Sequence, residues 1–428
     1  MRNFKTFSLS TASAAIAALI ALGSVASTAG AAQATVAATA SGTAAAAAAI
    51  PGSGLVNGPD KTEAQKLNGS GATFPQILYT NWIATYNKVT GVQINYGGGG
   101  SGKGIGDIND KKVDFGASDA FIGAKDPGYD KVQSGEEILI PMTEGAVVLI
   151  YNLPNFKDTL KLTPDTLSAI YLGTIKKWND AALVKDNPGL ANVDSGIIPV
   201  HRTDSSGTTN IFTSYLSAIS ATWKSGPGAG KDLGTKWPVA GLSDAGNNGV
   251  AANVSSKTGT IGYVELSYAA AATPKLTYAD LKNSAGNFVT ATGASITAAA
   301  DLKVIPDSLN ISILNAAGDK AYPISAPTWQ IVYKTQTDPA IALALTRFLW
   351  WELHDGQQYA SALGFAPLPA AVVKIAEQKV LSIQINGKQA LPTAYATPNP
   401  SVVGATSTPT VAAPAATVAA TMAATTAK

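Results

Sequence analysis

Between about residue 63 and residue 392 the chain alternates extended, glycine-terminated runs with amphipathic ones, and this alternation restricts the fold more than any other feature. VQINYGG at 92–98, VDFGASDA at 113–120 and GAVVLIYNL at 145–153 read as strands. After Pro75, the residues Ile77, Leu78, Trp82, Ile83 and Tyr86 share one helical face. After Thr208, Ile211, Phe212, Tyr215, Leu216 and Ile219 do the same. Strands alternating with helices of this kind imply an α/β architecture. No internal repeat interrupts the pattern.

Both flanks differ in character. Arg2 and Lys5, the apolar stretch Ala14–Leu22 and the small residues that follow read as a secretory signal over 1–31, cleaved after Ala26 or Ala31. A membrane helix is the alternative, but the apolar core falls short of the ~20 residues a span needs. Residues 32–62 form an Ala/Thr-rich leader and 393–428 an Ala/Thr/Pro tail, both expected to be disordered. The chain has no cysteine, so an exported product is held by its core alone. Thiol catalysis and zinc–thiolate sites are excluded. Removal of Arg2 and Lys5 leaves 28 basic residues against 28 acidic ones. That balance speaks against a nucleic-acid binder, and any anion must be held by local donors.

Four segments join small residues to hydroxyls or charges. GSGATFP at 69–75 precedes the helix of Trp82, with Thr73 near its cap and Pro75 in its first turn. Free N–H groups at a helix start attract anions, although an ordinary cap is also a reading. GGGGSGKG at 97–104 places Ser101 before a helix expected over 103–110. The string approaches a nucleotide-binding loop, but Gly104 stands where a magnesium-binding Ser or Thr is required. GASDA at 116–120 offers Ser118 and Asp119, which alone read as a turn cap. HRTDSSGTT at 201–209 offers Arg202, whose planar fork suits oxyanions, with Asp204 to orient it and Ser206, Gly207 and Thr208 at a helix start. His201 beside Asp204 invites a hydrolase reading, but the nucleophile context is missing. Taken together, the segments describe three helix N-termini, one arginine and one carboxylate converging on a small anion.

The segments GSGATFP, INYGGGGSGKG, VDFGASDA, VHRTDSSGTTNIFTSYL, GNNGVAANV and GTIGYVE, in that order, resemble the periplasmic phosphate-binding proteins of phosphate ABC transporters. IYLGTIKKWND at 170–180 and AYPISAPTW at 321–329 extend the resemblance to about 64–380. It implies a two-lobed type II periplasmic-binding-protein fold with a hinge and an inter-lobe ligand cleft. Lobe 1 is expected over 63–138 with 323–392, lobe 2 over 139–322, and the hinge near 138–145 and 320–324. The resemblance also implies a phosphate cradle of Thr73, Phe74 (through its backbone N–H), Ser101, Asp119, Arg202, Ser206, Gly207 and Thr208, supported by Asp204. Gly102 and Lys103 depart from the family pattern. No cofactor or metal and no catalysis are implied, and a monomer is expected. The implied partners are inorganic phosphate and the permease subunits of an inner-membrane ABC transporter, with the protein in the periplasm. A surface or adhesion protein on the same fold and a phosphatase are the competing readings.

Asp119 is the informative member. A carboxylate in a desolvated anion site repels the ligand unless the ligand brings a proton to donate. Phosphate does so at neutral pH and sulfate does not, and a mismatch of two facing acceptors is worth ~10⁴–10⁵ in selectivity.

Overall fold

The computed structural model describes Val56 and residues 58–396. The expected signal at 1–31, with most of the expected leader and tail, lies outside the described residues. Their inner margins are held in place. Arg347 Nη2 donates to the Gly58 carbonyl at 2.6 Å and the guanidinium pairs with buried Glu63. The Tyr395 hydroxyl donates to the Asp60 carboxylate at 2.9 Å.

The main sheet has eight strands. They are β1 (Lys66–Gly71), β2 (Gln93–Gly98), β3 (Phe115–Ser118), β4 (Glu137–Tyr151), β5 (Ile198–Arg202), β6 (Leu242–Asp244), β7 (Thr260–Glu265) and β8 (Ser325–Tyr333). Their spatial order is β2-β1-β3-β8-β4-β7-β5-β6. The flanking triplets β2-β1-β3 and β6-β5-β7 are parallel, and β8 and β4 run antiparallel through the middle. The architecture is the α/β class expected from the alternation, in the two-lobed form that the family resemblance implies.

β4 joins the two halves. Its residues 137–146 pair with β8, while 147–151 pair with β7. The partner changes between Ala146 and Val147, and the Val147 N–H is bonded to the Ile324 carbonyl at 2.9 Å. The chain therefore leaves the first half at 146 and re-enters it at 325. β4 begins eight residues before the apolar run at 145–153, because Pro141, Thr143 and Glu144 break the hydrophobic pattern although all of 139–151 is buried. A register shift between Thr328 and Trp329 leaves Met142 of β4 without a partner, which is a β-bulge.

Helices fill the crossovers. α1 (Gln76–Thr90) buries Leu78, Trp82 and Tyr86 and ends on Gly91 in the left-handed conformation, whose N–H returns to the Asn87 carbonyl at 2.8 Å. α2 spans Ser101–Asn109, starting two residues earlier than its sequence suggested. α3 (Gly207–Ile219) buries Ile211, Phe212, Tyr215 and Leu216 against the sheet. α4 (Gly246–Ser256) and α5 (Pro339–Leu353) add to the helical layers. The tryptophans stay polar-satisfied inside the core: Trp82 Nε1 donates to the Gly356 carbonyl at 2.7 Å and Trp178 Nε1 to that of Gly259 at 3.1 Å.

Candidate anion-binding site

β1, β2 and β3 of one parallel triplet and β5 of the other deliver their carboxyl ends to one place. That is where an open α/β sheet binds ligands. The turn after β1 carries Thr73 and Phe74, the turn after β2 carries Ser101, β3 leads into Asp119, and β5 ends on Arg202.

The Phe74 ring is fully buried and meets Phe365 edge-on at 6.3 Å. Only its backbone can serve a ligand. The N–H groups of Thr73, Phe74, Ser101, Gly207 and Thr208 have no acceptor among the described residues. Thr73 and Phe74 lie just before the start of α1, and Ser101, Gly207 and Thr208 open α2 and α3, where the helix dipole adds partial positive charge. Ser206 caps α3 by accepting the Thr209 N–H at 3.0 Å, so its hydroxyl proton remains to donate.

The groups are linked hand to hand. Asn247 Nδ2 donates to Thr73 Oγ1 at 3.0 Å and reaches Thr208 Oγ1 at 3.4 Å. Arg202 donates Nε–H to Asp204 Oδ1 at 2.6 Å and Nη2–H to Oδ2 at 2.5 Å, and its Nη1 lies 3.5 Å from Thr208 Oγ1. The Ser101 hydroxyl accepts the Asp119 N–H at 3.1 Å and sits 3.4 Å from Asp119 Oδ2. Gly207 faces this pair. A Cβ there would run into Ser101 Oγ and come within 2.5 Å of Asp119 Oδ2, so any larger residue would push both aside. Thr73, Phe74, Ser101, Asp119, Arg202, Asp204, Ser206, Gly207 and Thr208 thus form one constellation.

Two ion states matter. Burial pushes the Asp204 carboxyl up, but the hydrogen bonds and charge of Arg202 outweigh it and hold Asp204 below the usual carboxylate range. Asp204 therefore offsets the charge of Arg202. For Asp119 burial wins. It raises the carboxyl to about 7 against the lowering influence of the Thr328 hydroxyl, Arg202 and Ser101. With both carboxylates ionised, attraction for an anion comes from the N–H groups and the remaining guanidinium donors rather than from net charge.

The two sides of the cleft touch. The Gly102 N–H donates to the Ser205 carbonyl at 2.9 Å, the Tyr268 hydroxyl to the Thr73 carbonyl at 2.5 Å, and Lys231 Nζ to Asp126 at 2.5 Å. Gly100, with φ +91°, lets α2 approach Asp204. Lys103 takes no part, since it pairs with Asp107 one turn along its own helix. His201 stacks on Trp237 with ring centres 4.6 Å apart, and its Nδ1 contacts the Arg202 carbonyl, an arrangement unsuited to a triad. No group of three or more His, Asp or Glu able to hold a metal occurs among the described residues. A cavity of about 560 Å³ between Ile170, Ile175, Pro199 and Val239 contains none of the converging groups.

Asn247, Tyr268, Thr328 and the N–H of Gly246, which donates to Asp204 Oδ1 at 3.0 Å, were not singled out by the sequence. Asn247 lies in GNNGVAANV and Thr328 in AYPISAPTW. Both segments carry the family resemblance, yet no local chemistry marks either residue.

Residues 25–353 match the model of the PBP superfamily domain. The phosphate-binding protein PstS of Xylella fastidiosa is 40% identical over 319 residues, covering 74% of this chain and 85% of that one. That of Methanocaldococcus jannaschii is 38% identical over 347 residues, covering 76% and 88%. Among solved structures, a high-affinity periplasmic phosphate-binding protein bound with phosphate superposes with a TM-score of 0.60 at 21% identity, covering 76% of this chain and 99% of its own. The phosphate-binding protein of Stenotrophomonas maltophilia gives 0.58 at 18% identity, covering 74% and 94%. At those identities the structural likeness speaks for the fold.

Proposed function

The chain belongs to the PstS phosphate-binding proteins of the PBP superfamily, and on that premise we propose that it captures inorganic phosphate outside the inner membrane and hands it to an ABC permease. The observation that carries the reading is Asp119, a buried carboxyl placed among N–H and hydroxyl donors and directed at the start of α3. Donors from Thr73, Phe74, Ser101, Arg202, Ser206, Gly207 and Thr208 hold the anion's oxygens. Asp119 accepts the proton that phosphate carries. The Nε edge of Arg202 is taken by Asp204, so the guanidinium serves the ligand through Nη1 and the free side of Nη2.

The lobes expected at 63–138 with 323–392 and at 139–322 are hinged on β4 and, because β4 pairs with β8 as far as Ala146, the first lobe takes in 139–146 as well. Ligand bridging the two favours the closed form. The protein acts as an exported, periplasmic monomer and releases phosphate unchanged. Among the described residues no helix is long and apolar enough to cross a membrane.

Calorimetric titration of the purified protein with phosphate, arsenate and sulfate tests the reading. Above the Asp119 value of about 7, where phosphate and arsenate still carry a proton, both are expected to bind and sulfate to fail. Absence of a phosphate isotherm overturns it, and turnover of a chromogenic phosphate ester would move the chain to the enzymes.

A further inference from the structure

Asp119 has two oxygens in different surroundings. Oδ2 lies by Ser101 and the start of α3, on the anion's side. Oδ1 accepts a hydrogen bond of 2.7 Å from the Thr328 hydroxyl. Thr328 is fully buried on β8, and the bulge between Thr328 and Trp329 falls at this residue. Its neighbour Trp329 pairs with Ser118, the residue before Asp119. The strand register therefore brings the hydroxyl to the carboxyl. A β-branched side chain in a packed strand has little rotameric freedom, so the donor is fixed. A hydroxyl has a single proton to give. Donated to Oδ1, it leaves Oδ2 as the lone-pair face toward the ligand.

We propose that Thr328 is a positioning residue that fixes Asp119 as an acceptor toward the anion and thereby sets the oxyanion specificity of the cradle. The proposal rests on the phosphate-binding reading. A donor to a carboxylate favours its charged form. Among the influences on Asp119, the Thr328 hydroxyl is the largest that opposes burial. Without it, Asp119 keeps its proton to higher pH. A protonated Asp119 presents a donor, and the cradle then accepts an anion that brings no proton, such as sulfate. The other groups facing Asp119 do not obscure this. Arg202 stays charged. Burial raises Glu265 above the usual carboxylate range, and Glu265 is the same in all three proteins, so its influence cancels in the comparison; burial also raises the phenols of Tyr79, Tyr96 and Tyr268, which stay neutral at working pH.

The test is sulfate competition against bound phosphate from about pH 5.5 to pH 9, spanning the window in which a raised carboxyl titrates, for the wild type, Thr328→Val and Thr328→Ser. In the wild type, competition should grow as pH falls through about 7. In Thr328→Val the same rise should appear roughly one pH unit higher, with phosphate preference near pH 8 reduced about tenfold. Thr328→Ser, which keeps the hydroxyl, should return the wild-type profile. A Thr328→Val protein that binds phosphate and shows the wild-type sulfate profile overturns the proposal, as does failure of Thr328→Ser to restore it. If Thr328→Val does not fold, Thr328→Ala removes the same hydroxyl and is held to the same outcomes. A wild type that binds no phosphate sinks the functional reading instead, so the two failures are distinguishable.

Discussion

At the scale of the residue, the site separates binding from selection. On the proposed reading, Arg202 and the helix-start N–H groups attract any oxyanion of the right size. Arg202→Ala should lower phosphate affinity by ~2–5 kcal/mol, because it removes donors and strands Asp204 without its partner. Calorimetry giving near-native affinity contradicts this. Gly207→Ala should also abolish tight binding, since its Cβ meets Ser101 Oγ and Asp119, while thermal stability falls by only ~1–3 kcal/mol. The residues that the structure brings together were legible as candidates because each lies in a short segment whose glycines, hydroxyls and charges are adjacent in sequence. Their supports were not. Asn247 reaches Thr73 across 174 residues, Tyr268 across 195, and Thr328 reaches Asp119 across 209. An isolated Asn, Tyr or Thr gives no sign of such a contact.

At the scale of the element, the helix starts and the latch across the cleft have separable effects. α4 brings the N–H of Gly246 to Asp204, adding a helix start to the three expected from sequence. It was hidden because Ala245 at its cap has no side-chain acceptor. The Lys231–Asp126 pair lies at the cleft, both side chains about 15% exposed, and the Lys231 carbonyl accepts the Ser206 N–H at 2.9 Å. Lys231→Ala should speed phosphate release about tenfold, equivalent to ~1.4 kcal/mol, with little change in the capture rate. Stopped-flow dissociation rates check it, and an unchanged rate would mean that the pair does not hold the closed form. β1 escaped recognition because KLNGSG has few β-formers, and the early part of β4 escaped because Glu144 reads as a surface residue.

At the scale of the whole molecule, stability and pH are tied through buried acids. Glu144, in β4 two residues before the partner change, has neither carboxyl oxygen hydrogen-bonded, and burial raises it to about 8. A carboxyl raised on folding holds its proton more tightly in the folded state. Its contribution is therefore complete below the unfolded value of about 4.5 and is lost as pH climbs through about 8. Glu144→Gln keeps the neutral shape at every pH. It should leave the melting temperature unchanged near pH 4.5 and raise it above pH 8, and an equal shift at both ends contradicts the assignment. The alternation of elements was legible at this scale. The division of β4 between two partners was not, because strand pairing is decided by residues far apart.

On the proposed reading, Asp119 narrows a general oxyanion cradle to phosphate. The direct measurement is the phosphate-to-sulfate affinity ratio, by competition titration near pH 8, in the wild type and in Asp119→Asn. The wild type should prefer phosphate by ~10⁴ or more, and the variant, which offers sulfate a donor, should lose at least ~100-fold of that preference. An Asp119→Asn protein with the wild-type ratio would show that selection resides elsewhere in the cradle.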